Sequence, residues 1–149
     1  MSPMRMRDKP ILRLVSKAFV PFILLFALYT QFHGDFGPGG GFQAGVIFAA
    51  GLILYGLIWG LEALQGLLKP LWVEIGAALG VLLYGGTGVL TMFLGGNFLE
   101  YAALTPDHPA HGNHYGLLLI EGGVGITVTC AMMVIFYKFA GRALPEEEA

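Results

Sequence analysis

One carboxylate stands where a carboxylate is costly. Glu121 interrupts the apolar run LLLIEGGVGITV at positions 117–128, and an ionisable side chain in hydrocarbon costs about 2.5–3.5 kcal/mol on insertion scales. Two readings stand for such a group: it exchanges a proton or meets a cation, or it is hydrogen-bonded in a contact between subunits. Gly122, Gly123 and Gly125 beside it leave room for water, another helix or a cation. Counted from a helix expected to start near residue 115, Glu121 lies six residues in. A second acid, Glu74, follows Pro70 and is expected in the first turn of a helix, where the helix dipole favours negative charge. The third constellation is QFHGDFGPGGGFQAG at 31–45, in which His33 and Asp35 stand among six glycines and Pro38. These two complete the candidates for an ion path.

The glycine knot does not cradle a nucleotide. A phosphate loop needs the G-x-G-x-x-G frame between a strand and a helix, whereas here Phe42 occupies the third glycine position and an apolar run precedes the knot. Pro38 fixes one backbone angle, and the glycines allow tight turning and close approach. The knot is therefore a structural link docked against a neighbour, or a loop whose backbone lines a hydrated cavity. Three histidines, His108, His111 and His114, fall in DHPAHGNH. Their types could ligate a transition metal or sense pH, but Pro109 and Gly112 are expected to break any helix aligning them, and no metal is assigned. Cys130, the sole cysteine, excludes an internal disulfide and reads as a small buried apolar residue. Thr87, Thr91, Thr127 and Thr129 carry oxygens that commonly bond back to their own helix.

The elements that must position these groups are membrane spans. Of 149 residues 56% are hydrophobic and only 12% charged, about half the charge of an ordinary soluble domain. Four apolar stretches, 15–32, 42–61, 71–94 and 115–139, are each long enough to cross a bilayer as a helix. The fold expected is an all-α membrane protein, a single domain of four transmembrane helices. No small-residue cleavage site follows the first stretch, so it is read as a span rather than a removed signal. All eight lysines and arginines precede or open the first span, separate the second from the third, or close the fourth. By the positive-inside rule both termini are then cytoplasmic and the knot faces outside. Trp59, Trp72 and Tyr115 near span ends read as interfacial anchors.

What lies outside the spans is too short to bury a core of its own. The sequence holds no nucleotide-binding domain, no cysteine cluster for a metal centre and no basic patch for nucleic acid; no cofactor is implied. Small residues recur at Gly56 and Gly60, Gly76 and Gly80, Gly85, Gly86 and Gly88, a spacing that lets helices approach closely. So many point to further helices supplied by partner subunits.

The knot also carries a resemblance. HGDFGPGGGFQAG resembles the signature of the B subunit of Mrp-type multisubunit sodium/proton antiporters: HG, three variable residues, PGGGF, then a small-residue helix. His33, Gly34, Pro38, Gly39, Gly40, Gly41, Phe42 and Gly45 match it. Pro21, FLGGNFL at 93–99 and LIEGGVGITV at 119–128 look like further family segments. Asp35 stands where many members carry a second histidine, and Ala44 where many carry glycine. The resemblance implies a small, non-catalytic subunit of a sodium/proton antiporter, multi-pass in a bacterial or archaeal cell membrane. It would sit among other hydrophobic subunits and lipid, with sodium ions and protons as the transported species. It equally covers the corresponding subunit of a membrane-bound hydrogenase or a related redox-driven pump, and a pure assembly scaffold.

Overall fold

The computed structural model describes residues 9–34 and 39–142. Within them the chain forms α1 (Pro10–Phe32), α2 (Gly41–Trp59), α3 (Leu61–Leu67), α4 (Pro70–Phe93), a 3-10 turn (Tyr101–Leu104) and α5 (Pro109–Arg142), with no strand among the described residues. Four of these, α1, α2, α4 and α5, are long and apolar enough to cross a membrane. Proline opens three of them. At the first helical position its missing N–H costs nothing and its fixed φ suits the helix, which is why Pro10, Pro70 and Pro109 mark starts. Pro21 removes one interior hydrogen bond, yet α1 continues through it.

Three boundaries differ clearly from those expected, the first being that α1 starts at Pro10 rather than at 15. Gly60 is not part of a packing stripe: with φ +100 it ends α2 at Trp59 and turns the chain into α3. The fourth span starts at Pro109 rather than 115, so Gly112 lies inside a helix and breaks nothing. Both Gly112 and Gly116 are buried under the 3-10 turn, where added methyls would strike Tyr101.

The long helices stand in a row, α1 against α2, α2 against α5 and α5 against α4. The end of the bundle carrying α3 holds the apolar core, formed by Leu52, Leu64, Val73, Met133 and Tyr137. Leu64 from α3 is fully enclosed and presses on Gly56, and the Tyr137 hydroxyl donates to the Leu68 carbonyl at 2.7 Å. At the knot end, contact is made by backbone instead. A Cβ at Gly45 would stand 2.8 Å from the Gly125 carbonyl oxygen, and one at Gly123 2.9 Å from that of Gly80. Further along α4, a Cβ at Gly76 would meet the Cys130 sulfur at 2.6 Å, so the cysteine fills a helix–helix gap. Gly85 and Gly86 have nothing within reach. A broad apolar face of α1, including Phe19, Phe22, Leu25 and Phe26, remains exposed.

Candidate functional site

The knot end of the bundle gathers residues far apart in sequence around Glu121. Gly34, at the end of α1, and Gly40, before α2, both lie against its carboxylate: Cβ atoms there would stand 2.6 and 3.1 Å from Oε1. Gly41 lies against its backbone, so close that a methyl would overlap the Glu121 carbonyl oxygen. Three glycines thus seat one glutamate. Gly40 also needs to be glycine for its own conformation, since its φ is +115. The loop folds back over the end of α1, with Gly40 N–H donating to the Thr30 carbonyl at 3.2 Å. Gly39 would meet that same carbonyl at 2.8 Å if it carried a Cβ.

This placement gives the carboxylate a partner invisible in the charge pattern. Glu121 lies beside the start of α2, and the unpaired N–H groups of a helix's first turn carry partial positive charge that favours a nearby anion. A pocket of about 370 Å³ opens beside it, lined by Gly39, Gly40, Gly41, Phe42, Gln43 and Glu121 among others. Phe42 points largely outward, being 64% exposed, while Gly45 is buried against α5. Because α5 begins at Pro109, Glu121 lies twice as far along its helix as expected, and its level is set by the start of α2.

His33, half-buried, adjoins Gly34 and stacks on Tyr29 with ring centroids 5.0 Å apart. Asp35 and Pro38, also singled out from the sequence, lie outside the described residues. Glu74 is not brought to this site. It follows the first turn of α4, which holds no acid, so the expected dipole contact is not made. Instead it lines a pocket of about 150 Å³ at the α3 end with Gln65, Pro70, Tyr137 and Lys138. His108 and His111 face each other at 5.6 Å, His114 lies beside Tyr115, and no group of three metal-ligating side chains forms among the described residues.

One polar residue near the site, Gln31, was missed in the sequence, and another, Thr129, was singled out there only as bonding back to its own helix. Gln31 reaches from α1 to Gly125, one turn of α5 beyond Glu121. The Thr129 hydroxyl, a further turn on, bonds back to Gly125 at 2.8 Å as threonines do, but also reaches Gly45 of α2 at 3.1 Å. Glu121, Gly125 and Thr129 recur every fourth residue and so share a helix face. That spacing was readable; what faced it was not.

A family model described as a domain related to the MnhB subunit of Na+/H+ antiporter matches residues 11–134. Proteins of Staphylococcus aureus strains Newman, JH1 and COL, each designated antiporter subunit mnhB2, are 31% identical over 133 residues, covering 88% of this chain and 94% of theirs.

Proposed function

The chain belongs to the MnhB-related family of antiporter subunits, multi-pass proteins of the cell membrane, and from that premise we propose that it is a non-catalytic subunit whose Glu121 lines part of the sodium path. The observation that carries this reading is the seating of that carboxylate by Gly34, Gly40 and Gly41 at the head of α2. A carboxylate binds a proton or a sodium ion in competition, which is the elementary requirement of exchange. Side-chain-free glycines leave space beside it for a hydrated ion, and the start of α2 stabilises the charged form once either ion departs. The exposed apolar face of α1 then meets lipid and neighbouring subunits.

The test uses cells lacking this chain, complemented with the native protein or Glu121→Asp. Aspartate keeps the charge and withdraws it by one methylene from the glycine seat. Everted vesicles are expected to show normal assembled complex and a sodium or pH dependence of proton movement shifted by about threefold or more, the effect of a fraction of a kcal/mol at the carboxylate. An unchanged dependence refutes the assignment.

Orientation is part of the same reading, with both termini cytoplasmic and the knot outside because every lysine and arginine among the described residues lies towards the α3 end or beyond it. In a Cys130→Ser background, Asp107→Cys is expected to react with an impermeant thiol reagent added to sealed cells, and Gly66→Cys to be protected. Both residues are exposed in the fold, so reversed labelling inverts the topology.

A further inference from the structure

Helices α1 and α5 each pack on α2 and scarcely on each other, which leaves a groove of about 400 Å³ between them. Its surface is almost wholly apolar, with Leu28, Phe48, Leu52, Ile126 and Cys130 in the walls. Two polar residues border it without wetting it. The Gln31 amide nitrogen is enclosed, and the Thr129 hydroxyl is spent on the Gly45 and Gly125 carbonyls. Apolar spaces of this kind stay dry and take apolar ligands.

One end of the groove is marked by cations. Lys17 and Leu28 are eleven residues apart in α1, about three turns, and so lie on one line down the helix. Arg13 precedes Lys17 by one turn on that line, and both are exposed. Their level follows from packing. Leu24 and Ile23 lie over Gly51 of α2, and the two helices are antiparallel. Lys17, seven residues before Leu24, is therefore level with Ile58, next to the end of α2 at Trp59. Leu68, directly after α3, lines the groove, and the exposed Lys69 follows it. Cations from two separate segments thus flank the same end. From Lys17 to Leu28 is about 16 Å along the helix, close to the roughly 15 Å that one leaflet contributes to the hydrocarbon core.

We propose that this groove holds one acyl chain of an anionic phospholipid, whose phosphate is bound by Arg13 and Lys17. The proposal goes beyond the role given to Glu121 and does not depend on it. The basic side chains attract the phosphate diester, the hydrocarbon fills the dry space, and no covalent bond changes. A free phosphate has no chain to place there, so the source is the bilayer.

The test reconstitutes the purified complex in phosphatidylcholine vesicles containing a trace of phosphatidylglycerol with a diazirine at the end of one acyl chain. After irradiation, adducts are expected on Phe48, Ile126 and Cys130. Excess unlabelled phosphatidylglycerol should lower their yield about tenfold, and the same excess of phosphatidylcholine should leave it unchanged. Arg13→Gln combined with Lys17→Gln should lower it about as much, the scale of two basic side chains facing an anionic surface, while Lys17→Arg keeps it. Gly122→Leu fills the groove from α5, where nothing lies within 4 Å of a Cβ. It should remove the adduct on Phe48 with both cations intact. Yields are taken per assembled complex, and the lipid competition is read on the native one. Adducts confined to Phe22 and Leu25, on the exposed face of α1, would overturn the proposal and place a partner helix over the groove. Equal displacement by phosphatidylcholine, or a native yield in the double variant, would overturn it too, since the cations then select nothing.

Discussion

Gly41→Ala is expected to leave almost no assembled complex, the largest structural effect of a single methyl at any of the described glycines. The added carbon would overlap the Glu121 carbonyl oxygen and stand 2.8 and 3.0 Å from the carbonyl carbon and Cα of the same residue. A clash with a side chain can be relieved by a new rotamer; a clash with helical backbone moves one helix against another. Overpacking costs about 1–3 kcal/mol where neighbours can yield, and more where they cannot. Here α2 would have to leave α5, opening the seat of the carboxylate and the close approach of Gly45 to Gly125 together. The measurement is the amount of chain recovered with its partner subunits and the melting temperature of the purified complex. Gly85→Ala serves as the control, because nothing lies within 4 Å of a Cβ there and alanine favours a helix by about 1 kcal/mol over glycine. Recovery of Gly41→Ala at the Gly85→Ala level would show that α2 and α5 do not meet as described.

Glu121→Gln is expected to assemble normally and to lose sodium-dependent proton movement by about tenfold or more, the typical scale for removing a positioned proton-transfer group. Glutamine preserves length and hydrogen bonding within the glycine seat but cannot release a proton or balance the charge of a sodium ion. Glu121→Leu removes polarity as well, leaving the head of α2 without the anion its N–H groups favour, so this variant should lose both assembly and transport. The pair separates charge from structure. Vesicle rates normalised to assembled complex decide it: a glutamine variant with the native rate and native ion dependence reduces Glu121 to a hydrogen-bonding group at a subunit contact.

The sequence by itself determined what is local. Apolar run length defines the four spans, since each must cover the bilayer without help from the others. Pro70 marks a helix start, whereas Pro109, expected to break a helix, opens one, and apolarity alone set the fourth start too late, because PAHGNHY is polar yet helical. The intramembrane glutamate and the glycine knot were equally visible as residues out of place. Tertiary structure alone decided that they belong together. Glu121 lies 80 or more residues from Gly34, Gly40 and Gly41, and no period in the intervening chain specifies which face of α5 meets the start of α2. In water the apolar stripe of a helix reveals its buried side, but α2 is apolar nearly all round and its surroundings are apolar too. Burial therefore leaves no pattern of polar against apolar to read. The contact is chosen by small residues that permit backbone approach, and a glycine shows that something comes close without showing what. The same physics hid Gln31, which looks like an ordinary helix end in the sequence and becomes an enclosed amide only when Gly125 arrives opposite it.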